Sequence, residues 1–290
     1  MSVTLNAQDV IFRTLASKGT CMVQRGANPD EYSNLKTGVK LFDNDKIIIT
    51  GDNSYVGLVS SDGKTVELKK GGVYSVKDVY TGLSSGDATI AQKYVEFLVN
   101  DMSKGNESTS ANMKFTGSVE RSLKNDNILL FLPQETKVAT REATINWYPK
   151  EKQESYTVII TNLFDEKVFS QKVTGTSTSI DFAQAGLSPE EVYKLEVRSA
   201  SNADYKSGVV TLKVPSQTDL NTINEYSTDI MNQTPENSAI QNMVLAKYFD
   251  ENGLYLNAIP FYKKAVAMEP DVKEYKQAYN QFLYKVGLNQ

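Results

Sequence analysis

The residues able to do chemistry are few. Histidine is absent and Cys21 is the only cysteine. Composition therefore excludes an intramolecular disulfide, a zinc site of the usual nitrogen and sulfur ligands, and every Ser-His or Cys-His pair. No Gly-rich phosphate loop leads from a strand into a helix, and H-E-x-x-H, C-x-x-C and G-x-S-x-G do not occur. Asp43-Asn44-Asp45 begins like a calcium loop, but Ile48 stands where the sixth-place glycine is required, so it reads as a polar turn. Glu190 and Glu191 are neighbours in sequence only, since adjacent strand residues point to opposite faces and cannot share a proton. Trp147 beside Tyr148 could stack on a sugar, yet the only tryptophan of an alternating run is first of all a core residue. No catalytic residue, cofactor or metal site is expected.

At 290 residues, 40% hydrophobic and 23% charged, the chain has the composition of globular protein and the length of two or three domains. Thirty-one basic and thirty-five acidic residues leave a net charge of −4. Dispersed in this way, they offer no basic stripe to a nucleic acid. No run approaches the roughly eighteen apolar residues of a membrane span. Residues 2–7, ending at Ala7 before Gln8-Asp9, read as the remnant of a secretory signal peptide, which points to the periplasm or to secretion.

The elements that would position any site are legible in order. Val10-Ile11-Phe12 and Cys21-Met22-Val23 supply first strands, and 46–50 supplies another, after which Gly51-Asp52-Asn53 is expected to turn the chain. Asp62-Gly63 predicts a hairpin pairing 55–59 with 65–69, where Val66 and Leu68 alternate with polar residues. Gly71-Gly72 breaks the pattern before 73–76. Asp87 can cap a helix whose Ile90, Ala91, Tyr94, Val95, Leu98 and Met102 share one face. Seven short runs follow, at 128–138, 143–148, 156–161, 167–173, 177–181, 192–200 and 209–214, the cadence of a β-sandwich. Past Pro215 the period becomes helical, with Leu220, Ile223, Ile230 and Met231 on a first helix ending before Pro235.

Three resemblances accompany these patterns. Val23-Gln24-Arg25-Gly26, Leu35, Gly38, Leu41, Asp45, Ile47, Ser54-Tyr55, Leu58 and Asp62-Gly63-Lys64 with Val66 and Leu68 resemble the extracytoplasmic domain of the FecR-like, iron-dicitrate sensor type family. Trp147 in its strand, and Leu187-Ser188-Pro189 leading to Tyr193, are similar to landmarks of fibronectin type III domains. In that family the tryptophan fills the core and the tyrosine ties the chain back to its own backbone. Leu245, Ala246, Phe249, Gly253, Ala258, Tyr262, Ala265 and Pro270 resemble one tetratricopeptide repeat (TPR), and Tyr275, Tyr279 and Leu283 resemble its cap.

The expected fold is accordingly multidomain: a signal-peptide remnant at 1–8, a small all-β FecR-like domain with a packing helix at 9–103, and a linker at 104–127. A fibronectin III-like or immunoglobulin-like β-sandwich at 128–215 and an α-helical TPR-like bundle at 216–290 complete it. The resemblances imply a non-catalytic adaptor or sensory scaffold whose partner is another envelope protein or a cell-wall component. Its helical end would present a groove lined by Asn242, Leu245, Phe249 and Tyr262. The alternative is a carbohydrate-binding or cell-wall-binding accessory module, which needs exposed coplanar aromatics.

Overall fold

The computed structural model describes residues 9–83, 89–103, 126–286 and 288. The signal remnant, the Asp87 cap and all but the last residues of the linker lie outside the described residues. Strands, with two helices at Val76–Thr81 and Thr89–Ser103 among them, fill the first two-thirds of the described chain and helices the rest. No described helix is long and apolar enough to cross a membrane. Two compact units divide the chain: Met1–Gly105 with Tyr226–Lys247 and Phe261–Tyr279, and Asn106–Glu225 with Tyr248–Pro260 and Asn280–Gln290. The stretch the sequence sets apart as helical, 216–290, thus contributes residues to both.

The first unit is built on two 15-residue antiparallel strands, β1 (Val10–Gln24) and β4 (Lys46–Ser60). β2 (Tyr32–Asn34) and β3 (Lys40–Phe42) pair with β1, while β5 (Thr65–Leu68) and β6 (Gly72–Ser75) pair with β4. The hairpin expected at Asp62-Gly63 is present. Gly63 takes a φ of 85°, and Val59 faces Thr65, Leu58 faces Val66 and Val56 faces Leu68. Phe12, Val23, Leu41, Ile47, Val56 and Leu58 form one core with Val76 of the short helix α1 (Val76–Thr81). α2 (Thr89–Ser103) buries Tyr94, Val95, Leu98 and Met102, the spacing read from the sequence.

The chain does not turn at Gly51-Asp52-Asn53. β4 runs straight through, and the extra residues are absorbed as a bulge: Thr20 faces Thr50 and Lys18 faces Tyr55, so 51–54 stand opposite Gly19 alone. Gly51 at φ 90° and Gly19 at φ 78° supply the left-handed conformations this needs. Ser54 Oγ donates to Thr50 O at 2.7 Å and closes the bulge. For the same reason the two apolar triplets of the first strand belong to one continuous element.

The second unit contains a sandwich. One sheet has the order β12-β9-β7 and the other β11-β10-β13-β14-β8. The strands are β7 (Ile128–Leu130), β8 (Glu135–Lys137), β9 (Glu142–Pro149), β10 (Tyr156–Thr161), β11 (Lys167–Val173), β12 (Ser177–Asp181), β13 (Val192–Ser199) and β14 (Val210–Lys213). Side chains of both sheets meet in one core that includes Ile145, Trp147, Val158, Ile160, Ile180, Leu195 and Val197. Six of the seven expected runs map one to one. The seventh, 128–138, is split, because the chain changes sheets at Leu132-Pro133, where proline has no N–H to give a ladder.

Four helices follow: α3 (Gln217–Gln233), α4 (Ala239–Glu251), α5 (Tyr255–Met268) and α6 (Lys273–Lys285). Ser216 caps α3 by accepting the Asp219 N–H at 3.1 Å, and Ser238 caps α4 by accepting the Gln241 N–H at 2.9 Å. Ile230 of α3 is buried as expected, whereas Met231 is 44% exposed and lies off the apolar face. Every residue of α4 from Ala239 to Asp250 is buried.

Candidate functional site

The groove residues come first. Asn242, Leu245, Phe249 and Tyr262 are all no more than 4% exposed. Asn242 Nδ2 donates to Ser238 O at 2.7 Å, and the Tyr262 ring stacks on Tyr279 with centroids 5.8 Å apart. These side chains are packing residues, and no partner reaches them while the fold is intact. Apolar and small residues at three- and four-residue spacing are common to a groove wall and to a helix interior, and a helix buried on all sides is the second case.

A dense polar arrangement is also interior. Tyr55 of β4 donates to Glu67 Oε1 of β5 at 2.9 Å, and its hydroxyl lies 2.5 Å from that of Tyr275 of α6. Since the Tyr55 proton goes to the carboxylate, Tyr275 is the donor between the two phenols. Glu67 Oε1 also accepts the Ile240 N–H at 2.9 Å, while its Oε2 holds Lys69 Nζ at 2.9 Å. Lys69 reaches Glu269 at 3.1 Å as well. Burial, with Tyr275 and Glu67 adding to it, pushes the Tyr55 phenol well above its ordinary value. Burial is also the main cause that raises Tyr275 well above its ordinary value. Burial alone would lower the Lys69 ammonium, but its bonds to Glu67 and Glu269 carry it above the usual value. Two protonated phenols, a carboxylate and a held cation are a satisfied network, suited to fixing helices on a sheet rather than to moving protons.

Asp45, from the calcium-like run, is 3% exposed and accepts from Arg25 Nη1 at 2.8 Å, Gly26 N at 3.0 Å and Phe42 N at 3.0 Å. It fastens loops to one another. Among the described residues no cluster of three or more Cys, Asp or Glu is placed to hold a metal ion. Glu190 and Glu191 sit in the turn before β13, with Glu190 at φ 64°. Burial raises the Cys21 thiol above its ordinary value, which makes it a poor nucleophile. Trp147 is 1% exposed, and of the sixteen tyrosines only Tyr32, Tyr148 and Tyr226 are exposed. Tyr148 meets Phe131 edge to face at 78°, not as a coplanar platform.

Two uncovered features, neither recognised from the sequence, belong to the second unit. The first is the tip of the β10–β11 hairpin, where Leu163 is 55% and Phe164 86% exposed. The tip is firmly made. Asn162 Oδ1 accepts the N–H groups of Phe164 and Glu166, both at 3.0 Å, and its Nδ2 donates to Glu166 Oε2 at 2.7 Å. Asp165 adopts φ 63° and is held by Lys194 Nζ at 2.9 Å. The available signal was Asn162-Leu163-Phe164-Asp165 between two strand runs, a turn whose central residues are apolar. The second is an open cleft of about 260 Å³ where the chain changes sheets, in which Leu129, Leu132, Pro133 and Val209 are joined by the polar Asp126, Gln134, Glu135 and Lys285. In the first unit a further cleft, of about 380 Å³, lies between α2 and the sheet and mixes Val10, Val59 and Val99 with Arg13, Gln92 and Glu96.

No family model matches the chain, and no curated protein does. Among solved structures, the FN1–FN3 domains of chicken CNTN1 align at 8% identity. The alignment covers 69% of this chain and 57% of that one, with a TM-score of 0.22. At that score the likeness bears no argument, and the fold rests on the strand order and cores described above.

Proposed function

We propose that this chain is a non-catalytic extracytoplasmic interaction protein, an adaptor or scaffold made of FecR-like, fibronectin III-like and TPR-like parts. The observation that carries the reading is the hairpin tip, which holds Phe164 86% exposed on a turn fixed by its own hydrogen bonds. Covering a phenyl or isobutyl side chain stabilises a contact by about 1.5–3 kcal/mol. A rigid tip collects that gain without an ordering cost, which is the character of an interaction hot spot.

Support for the modules is separate. The order β12-β9-β7 against β11-β10-β13-β14, the buried Trp147, and Tyr193 accepting the Ser188 N–H at 2.9 Å accord with a fibronectin III-like domain. The meeting of Arg25, Gly26 and Asp45 joins residues that carry the FecR-like resemblance. Gly253 at φ 71°, between α4 and α5, accords with a repeat-like helical hairpin.

Photo-crosslinking in the native envelope tests the reading, with p-benzoylphenylalanine placed at position 164 and, as a control, at the buried position 158. A discrete protein adduct from 164 alone is expected. If 164 gives no more adduct than 158, the tip is not a contact surface and the proposal falls.

A further inference from the structure

We infer that the outer face of the five-stranded sheet is a second binding surface, one that takes a linear acidic glycan by charge. It is separate from the hairpin tip and goes beyond the adaptor reading. Strand register builds it. Thr157 and Thr161 of β10 point away from the core that holds Val158 and Ile160. Pairing sets Lys172 and Arg198 on either side of Thr157, and Lys167 and Lys194 on either side of Thr161. Lys194 in turn faces Thr211, and two residues further on Lys213 faces Lys137. Six cations thus share one face with two carboxylates, Glu135 and Glu196. On the other sheet of the same sandwich the only charged residues at outward strand positions are Glu142 and Asp181. A surface that charge serves only to keep in solution would intersperse both signs on both sheets.

The carboxylates of this face are already engaged. Glu135 holds Lys213, Glu196 holds Lys206, and Asp165 of the hairpin tip holds Lys194. Glu166, next to Lys167, accepts from the Asn162 amide, and Glu190 and Glu191 stand in the turn before β13. Lys137, Lys167, Lys172 and Arg198 make no ion pair among the described residues, and the three lysines are exposed.

Their distribution gives the chemistry of the partner. Lys172 and Arg198 are separated by one strand, about 10 Å between Cα atoms, and five strands span about 19 Å. Cations spread over a sheet face, converging on no point, suit charges repeated along a polymer rather than one small anion. Between them stand the hydroxyls of Thr157, Thr161, Ser170 and Thr211, able to exchange hydrogen bonds with those of a sugar. No aromatic side chain occupies an outward strand position of this sheet, so unpaired nucleic-acid bases find nothing to stack on. At a net charge of −4 the chain as a whole repels a polyanion, which confines attachment to this face.

Fluorescence anisotropy of labelled dextrans with the purified full chain is the test. Uncharged dextran, dextran sulfate and carboxymethyl dextran share one backbone and differ in charge. At low salt the wild type is expected to bind a charged dextran and not the uncharged one, with affinity falling as salt rises. The two charged forms tell whether sulfate or carboxylate is the favoured group. Lys172→Glu with Arg198→Glu is expected to weaken binding at least about tenfold. Lys36→Glu with Lys70→Glu, at exposed lysines of the first unit, changes the net charge equally and is expected to leave affinity within about twofold. Should the first pair fold poorly, Lys167→Gln with Lys172→Gln is expected to cost several-fold. No binding, equal binding of all three dextrans, or equal losses in the two charge-reversal pairs overturns the inference. Tighter binding of a single-stranded oligonucleotide than of either charged dextran overturns it as well, since the face would then serve a nucleic acid. The adaptor reading is judged separately, by crosslinking at position 164.

Discussion

The hydroxyl of Tyr55 on β4 lies 2.5 Å from the hydroxyl of Tyr275 on α6, 220 residues away in sequence. With Glu67 accepting from Tyr55 and from the Ile240 N–H, a single buried carboxylate anchors groups from two helices and a sheet. The first unit is held by these bonds as well as by apolar burial, which makes the pair the natural place to probe it.

Tyr275→Phe removes the outer donor and leaves Tyr55 bonded to Glu67, so it is expected to cost about 1 kcal/mol. Tyr55→Phe strands the Tyr275 hydroxyl and strips Glu67 of a donor, at a cost of about 2 kcal/mol. Denaturant unfolding of both variants and of the double variant checks this, and the double variant should cost less than the sum.

The same pair predicts an alkaline limit. Both phenols have folded-state values raised by burial. Below an unfolded tyrosine value of about 10 both states keep these protons, and the contribution is complete. Above it the unfolded chain releases protons that the folded chain retains, so stability falls as pH rises. Unfolding free energy measured between about pH 8 and pH 11.5 should decline beyond about 10, and decline less steeply in Tyr275→Phe.

Two glycines should respond differently to alanine. At Gly57 a new Cβ would lie 2.9 Å from Ile240 Cδ1 and 3.0 Å from the Tyr55 hydroxyl, both side-chain atoms rather than main chain, so Gly57→Ala is expected to cost about 1–2 kcal/mol. At Gly26 the Cβ would run into the carbonyl of Asn44, main chain that Asp45 holds in place. Gly26→Ala should cost about 3 kcal/mol. Thermal unfolding of the two variants side by side gives the ordering, and equal losses would contradict it.

Asp45→Ala leaves the Gly26 and Phe42 N–H groups without their acceptor and the Arg25 guanidinium with only the Lys40 carbonyl, in a place where Asp45 itself is 3% exposed. A loss of about 3 kcal/mol is expected. Arg25→Ala leaves the carboxylate its two backbone donors and should cost less, about 1–2 kcal/mol. Denaturant midpoints decide whether the order is as stated.

Much of the fold was legible along the chain. Asp62-Gly63 announces its hairpin because glycine alone takes the required φ cheaply, and the sandwich strands announce themselves by alternation between turn residues. The errors have one source. Gly51-Asp52-Asn53 has the composition of a turn, but β1 runs alongside and captures it as a bulge. The run at 128–138 looks like one strand, yet two different sheets compete for its ends. The candidate site was the least legible part: Phe249 and Tyr262 look like groove residues by type and spacing, and Phe164 falls in a turn whose exposure its type does not announce.

Sequence alone determined most strands and helices and the hairpin at Asp62-Gly63, the want of histidine and paired cysteine chemistry, and the identity of the core tryptophan. Backbone preference and side-chain period act over a few residues, so they can be read locally. Tertiary structure alone decided that Tyr55 meets Tyr275, that α4 is buried on every side, and that Phe164 is left in solvent. Burial depends on which faces come to lie against one another, and that is set by contacts between residues far apart in the chain.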